Sequence, residues 1–221
     1  MHEIAVGAGL LASNDALAQH NRQHFIEHGV YVLNLMSAPG AGKTTLLERT
    51  VDALAPRYRL AVIEGDVQTR LDADRIARHG VTAIQINTGG ACHLDARQIH
   101  DELHRLELGA LDLLVVENVG NLVCPAEFDL GEHDKVMLLS VAEGDDKPIK
   151  YPVMFHAARA LLVNKIDLLP HVDFDLARAE RDARALNLDL EVLRVSARTG
   201  EGMEAWYQWL AGRIERNKSR R

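Results

Sequence analysis

Four groups of residues in this sequence have the types and spacing to do chemistry. The first is SAPGAGKTT, residues 37–45. Gly40 and Gly42, with Ala41 between them, let the main chain approach an anion closely. Lys43 adds positive charge, and Thr44 and Thr45 open a helix whose free N–H groups point the same way. This reads as a phosphate-binding loop, with the Thr44 hydroxyl a ligand for Mg²⁺. The usual pattern begins with Gly where this chain has Ser37. The strand before the loop and the helix after it supply the context that the pattern requires, against the competing reading of a glycine-rich turn that binds nothing.

The second group is acidic. Asp66 follows an apolar stretch, and Glu117 ends the almost continuous apolar run at 111–116. A parallel sheet directs the carboxyl ends of its strands at the ligand crevice, so both acids are candidates to hold Mg²⁺ or to orient an attacking water. Which of them orients the water stays open, as does a plain surface turn for Asp66. Nothing in the spacing assigns Arg70 a role.

The third group recognises a base. Asn164, Lys165, Ile166 and Asp167 form an NKxD pattern, and Ser196, Ala197 and Arg198 follow the next apolar run. A carboxylate at Asp167 accepts from the ring N–H and the exocyclic amine of guanine, a donor pair that adenine lacks. The Lys165 stem packs over the purine, and backbone N–H groups at 196–198 reach the guanine carbonyl. The expected cofactor is GTP with Mg²⁺.

The fourth group is soft. Cys92 and His93 are adjacent, and Cys124 follows Glu117 by one short turn. Thiolates with an imidazole suit Ni²⁺ or Zn²⁺, and three ligands are one short of a closed tetrahedral site, which two copies meeting across a dimer axis would complete or bridge. Buried or incidental thiols are the alternative. His20, His24 and His28 lie four residues apart and share a helix face. That spacing suits a divalent metal, but with no Cys or carboxylate grouped around it in sequence a polar face is the favoured reading.

The elements that must position these groups follow from periodicity and punctuation. Helices are expected at 13–28, 44–54 and 71–79, from the CH pair to about 106, and from 201 onward. Strands are expected at 30–36, 60–63, 81–86, 111–116, 136–142, 161–163 and 192–195. Residues 143–155, charged and broken by proline, are expected at the surface. The fold class is α/β, a P-loop NTPase with a mostly parallel sheet flanked by helices. Residues 1–221 form one G domain, with 1–29 a helical extension on or near a dimer interface, and Trp206 belongs to the core rather than to the nucleotide.

Composition narrows the function. With 221 residues and 47% hydrophobic content the chain can bury one sizeable core, and a net charge of -7 argues against nucleic-acid binding. The basic end at 213–221 suits a solvated helix terminus. No stretch reads as a membrane span or a signal peptide, so a cytoplasmic location is expected, where two cysteines point to metal or catalytic use rather than a disulfide.

The motifs SAPGAGKTT, GDVQTRLDADR, GGACHLDA, VVENVGNLVCP, DKPIKYP and NKIDLL occur in that order across nearly the whole chain. They resemble the HypB family of hydrogenase nickel-incorporation GTPases, in the signal-recognition and MinD-like branch of P-loop proteins. The resemblance implies slow GTP hydrolysis, a homodimer formed with nucleotide, and nickel or zinc at the positions of Cys92, His93 and Cys124. It also implies a HypA-like nickel chaperone as partner and the large subunit of a [NiFe]-hydrogenase as client. The chain has no N-terminal cysteine cluster and no long histidine-rich tract, so only the site in the G domain carries over. Urease accessory GTPases share the phosphate loop but have a Cys-Pro-His element that is absent here. GTPases serving cobalamin-dependent mutases share the acid after the fourth strand and do not predict the cysteine pair. A rival of another class is a scaffold that GTP staples into a dimer around structural zinc, and an enzymatic rival is an ATP-dependent P-loop kinase. Lys150 is a candidate to reach a neighbouring subunit's nucleotide.

Overall fold

The computed structural model describes residues 2–66 and 71–219. The segment 67–70, with Arg70, lies outside the described residues, as do the last two positions of the basic C-terminal end. In chain order the elements are α1 (His2–His28), β1 (Tyr31–Ser37), α2 (Lys43–Leu54), β2 (Leu60–Asp66), α3 (Leu71–Ala77), β3 (Thr82–Asn87), α4 (Ala96–Leu103) and β4 (Leu113–Glu117). Then come α5 (Cys124–Glu127), β5 (Asp134–Ser140), α6 (Lys147–Lys150), α7 (Pro152–Ala157), β6 (Ala160–Asn164), α8 (Leu176–Leu186), β7 (Glu191–Arg194) and α9 (Met203–Lys218).

The seven strands form one sheet in the order β3-β2-β4-β1-β5-β6-β7, and every pairing is parallel. The central strands are mostly apolar because both of their faces are covered; β1, β4 and β6 are buried at every residue, and apart from Asn34 their polar residues stand at the strand ends, Ser37, Glu117 and Asn164. On one face α2 and α9 pack over β1, with Trp206 buried and its indole N–H donated to Thr50 Oγ1 at 2.9 Å. On the other, α1 and α4 cover the β2 and β4 side, and α7 and α8 cover the β5 and β6 side. All strands point one way, so the segments after β1, β2, β4, β6 and β7 emerge at one edge. The chain divides there around β1, whose neighbours β4 and β5 lie on opposite sides, the usual place for a ligand crevice in such a sheet.

Three local outcomes differ from the periodicity reading. Helix α1 begins at His2 rather than near residue 13. Asn14 is buried inside that helix, donating to the Asp129 carbonyl at 2.8 Å and accepting from the Ala96 N–H at 2.9 Å. The proline-broken segment folds into α6 and α7, each with proline in its first turn where no N–H is needed, and Met154 and Phe155 are fully buried. Helix α8, capped by Asp175, buries only Ala179 and Ala183, too few apolar positions to mark it in the sequence.

Candidate functional site

The turn between β1 and α2 carries the first group. Ser37 is fully buried; its hydroxyl donates to the Ala38 carbonyl at 2.6 Å and accepts from Lys43 Nζ at 3.0 Å. The residue that departs from the usual pattern thus anchors the loop's lysine. Gly42 caps α2 at φ 102°, and a Cβ there would come within 2.7 Å of the Asn164 amide, so both conformation and space demand glycine. Beside the loop lies a cavity of about 460 Å³, whose walls include Lys43, Thr44, Glu64, Asp66 and Glu117. Arg75 also lines it, but its guanidinium is held by Glu48 at 2.6 Å and Asp72 at 3.2 Å.

Glu117 is buried at the end of β4, where it accepts from Thr44 Oγ1 at 3.4 Å and lies 3.9 Å from Lys43 Nζ. The residue that sequence reasoning misses is Glu64. It pairs in register with Glu117 across β2 and β4, and it shares a strand face with Asp66 two residues on. Burial, then the charge and hydrogen bond of Glu117, push the Glu64 carboxyl up to about 11. Burial likewise raises Glu117, against the opposing pull of its hydrogen bond with Glu64 and the Lys43 charge. One proton shared between the two carboxyls is the physical consequence. Glu64 Oε1 and Glu117 Oε2 are buried with no hydrogen-bond donor. Hard, unsatisfied oxygens next to a threonine hydroxyl are a donor set that fits Mg²⁺.

The NKxD and SAR segments meet behind the phosphate loop. Asn164 donates to the Ala41 carbonyl at 2.8 Å and accepts from the Ala197 N–H at 3.0 Å, so its amide ties the two loops together. Lys165, in the left-handed region at φ 63°, donates to the Gly40 carbonyl at 2.7 Å, which lays its stem along the loop. Asp167 accepts from the Ser196 hydroxyl at 2.6 Å, which orients the carboxylate, and the Arg198 carbonyl is held by Arg49 at 2.7 Å. Thr45 lines the phosphate cavity from the first turn of α2.

Cys92, His93 and Cys124 converge: their ligand atoms all lie within 4.8 Å of one another. Both cysteines are free, with the sulfurs 3.0 Å apart. His93 stacks on Phe128 at 3.8 Å between ring centroids, a support that the sequence does not advertise. Burial lowers the His93 pKa, which favours the neutral ring that metals take. The hydrogen bond with Cys92 and burial push the Cys124 thiol up to about 11.

The cavity beside the loop and the Cys-His-Cys cluster are joined by one stretch of chain, 117–124. It leaves β4 at Glu117. Asn118 accepts from the Leu94 N–H at 3.0 Å, holding the residue next to His93, and donates to Asn34 at 3.2 Å. Gly120 lies against the phosphate loop so closely that a Cβ would meet the Pro39 backbone nitrogen at 2.9 Å. The stretch ends at Cys124, the first residue of α5.

Residues 31–194 match the family model described as CobW/HypB/UreG, nucleotide-binding domain. The chain is 56% identical over 218 residues to the hydrogenase maturation factor HypB of Azotobacter vinelandii, covering 99% of this chain and 71% of that protein. Among solved structures, HypB from Helicobacter pylori in complex with nickel is similar with a TM-score of 0.88 at 39% identity, covering 93% of this chain and 96% of that one. HypB from Archaeoglobus fulgidus gives a TM-score of 0.87 at 39% identity, covering 92% and 100%.

Proposed function

The chain belongs to the CobW/HypB/UreG family, among the HypB hydrogenase maturation factors, and from that premise we propose that it is a GTP-hydrolysing nickel chaperone whose grip on the metal follows its nucleotide. In this reading Lys43 and the backbone N–H groups of 40–45 bind the phosphates. Asp167 accepts from guanine, and Lys165 and the 196–198 loop frame the base. Thr44, Asp66 and Glu117 hold Mg²⁺, with Glu64 behind them, and the ion when bound would neutralise charge on the phosphates. The remaining catalysis is positioning by the chain itself, with Asp66 or Glu117 orienting the attacking water. Nickel is the cargo, held by Cys92, His93 and Cys124, with zinc the competing ion at the same donors.

The observation that carries the reading is the 117–124 stretch. It starts at an acid in the phosphate cavity, leans on Pro39 and ends on a metal ligand. Loss of the terminal phosphate would shift this stretch, alter the Cys124 geometry and loosen the ion. Two copies meeting at the Cys-His-Cys face would supply the missing ligands, which makes a nucleotide-dependent homodimer part of the proposal. The 1–29 extension lies on or near that interface, and Lys150, exposed at the end of α6 and paired with Asp146, reaches the neighbour's nucleotide. A HypA-like chaperone and the [NiFe]-hydrogenase large subunit are the proposed partners, in the cytoplasm. Among the described residues no helix is long and apolar enough to cross a membrane.

Nickel titration of the protein loaded with a non-hydrolysable GTP analogue or with GDP, read together with molecular mass, tests this. A metal affinity and a mass that both change with nucleotide support it. Identical binding and mass in both states would replace it with a scaffold in which GTP and metal are unconnected.

A further inference from the structure

A second group of metal-type donors lies away from the crevice. Helices α1 and α4 run side by side in the same direction: Asn14 bonds to Ala96, Asn21 to Ala96 and His100, and His28 abuts Gly109 just beyond α4. The stripe His20, His24 and His28 therefore faces a second stripe, His100 and His104, again four residues apart. The five imidazoles, with Glu107, line a pocket of about 420 Å³. His20 and His100 lie 5.2 Å apart between ring centroids, and His24 and His28 4.4 Å. One amphipathic helix with a polar face does not explain this, because the second stripe comes from another element.

The hydrogen bonds pre-set the rings for a metal. His28 Nδ1 lies 2.9 Å from the His24 carbonyl and His104 Nδ1 lies 2.7 Å from the Asp101 carbonyl, and an oxygen that only accepts makes each Nδ1 the donor. His100 Nδ1 lies 3.1 Å from Asn21 Oδ1. The Asn21 amide nitrogen already donates to the Ala96 and Leu130 carbonyls, at 2.8 and 3.2 Å, so its oxygen accepts from His100 as well. In His100 and His104 the neutral ring thereby carries its lone pair on Nε2, the arrangement in which metal-bound histidines are held by their surroundings. Among the described residues the one group of three or more such donors already within 4.8 Å of one another is Cys92, His93 and Cys124, so capture here takes rotation of His20 and His24 toward the fixed rings.

We propose that this trough is a second metal site, taking one divalent first-row ion of the Ni²⁺ or Zn²⁺ type on nitrogen donors alone. It sits where α1 and the 106–109 turn feed the starts of β1 and β4, at the opposite end of the sheet from the phosphate loop. Its occupancy is therefore independent of nucleotide, and it holds metal more weakly than a thiolate site.

The test uses the full chain carrying Cys92→Ser and Cys124→Ser, titrated with Ni²⁺ alone by equilibrium dialysis and absorption. The expected result is one equivalent bound with no thiolate-to-nickel charge-transfer band, unchanged by GTP or GDP. Adding His24→Gln and His100→Gln removes that equivalent, lowering affinity by at least about tenfold, while GTP affinity stays at its starting value and reports an intact fold. No nickel bound to the thiol-free protein, or an equivalent that survives the two histidine substitutions, would overturn the proposal. Neither result bears on the Cys-His-Cys site, which the background lacks.

Discussion

Glu64 and Glu117 stand side by side at paired register positions of β2 and β4, both buried, each with one oxygen that no donor satisfies. Two carboxyls in that position are costly without a cation, and the ion pair made there among the described residues is a long one, Lys43 at 3.9 Å from Glu117. Glu64→Gln keeps the shape and the hydrogen bond, and it is neutral without the cost of taking up the shared proton at neutral pH. The metal-free protein should gain stability, on the order of 1 kcal/mol, in thermal or urea melts. Its Mg²⁺-dependent gain in GTP affinity should shrink. A variant less stable than wild type without metal, with Mg²⁺ dependence intact, would show that the pair has no part in holding a cation.

Asp167 is held by the Ser196 hydroxyl at 2.6 Å, which fixes the direction of its acceptor oxygens. Asp167→Asn replaces an acceptor with an amide that turns a donor toward the guanine amine. GTP affinity should fall by about a hundredfold or more. Xanthosine triphosphate, which presents a carbonyl at that ring position, should bind the variant better than GTP does. Competition binding of the two nucleotides reads both effects, and an unchanged preference for GTP would remove Asp167 from the base site.

These tests divide between residues that are plain in the sequence and residues that are not. The phosphate loop, NKxD, SAR and the strands beneath them are legible because each rests on local rules: glycine spacing, turn chemistry, unbroken apolar runs. The Cys-His-Cys set is legible as a trio of soft donors but not in its geometry, since only the path of 117–124 brings Cys124 back to Cys92. Glu64 hides inside a buried strand, where an acid signals nothing until the neighbouring strand is known to carry Glu117 at the same level; the EGD alternation, placing Glu64 and Asp66 on one face, is its only trace. Asn118 and Phe128 act through contacts distant in sequence, with Leu94 and His93, and leave no local mark. The histidine stripe of α1 reads as a polar face because its partners, His100 and His104, are supplied by α4.

Gly120 tests the mechanical link between nucleotide and metal. A Cβ at this position meets backbone and ring atoms of Pro39 at 2.9–3.1 Å, neither of which can swing aside. Gly120→Ala should push the 117–124 stretch off the phosphate loop without touching a metal donor. Nickel should still bind, and the difference in affinity between the GTP-analogue and GDP states should narrow several-fold toward none. A full difference in the variant would mean that the signal travels by another route.

Asp112 tests how the start of β4 is held. Its carboxylate accepts from the Arg59 N–H at 2.8 Å and lies 3.0 Å from Lys218 at the end of α9, so it fastens the last helix to the sheet. Burial works to raise its pKa, but the Arg59 N–H and the Lys218 charge outweigh that and hold it below the usual carboxylate value. A folded-state pKa below the unfolded one contributes stability that is present above about pH 4 and is lost as pH falls through the lower, folded value. Asp112→Asn should therefore cost about 1.5–3 kcal/mol at neutral pH, the range for a hydrogen bond to a charged group. The gap between wild type and variant should close as urea melts are repeated at pH values falling below about 4. A gap that stays constant across that range would assign the loss to packing, and the Lys218 contact would then carry no net stabilisation.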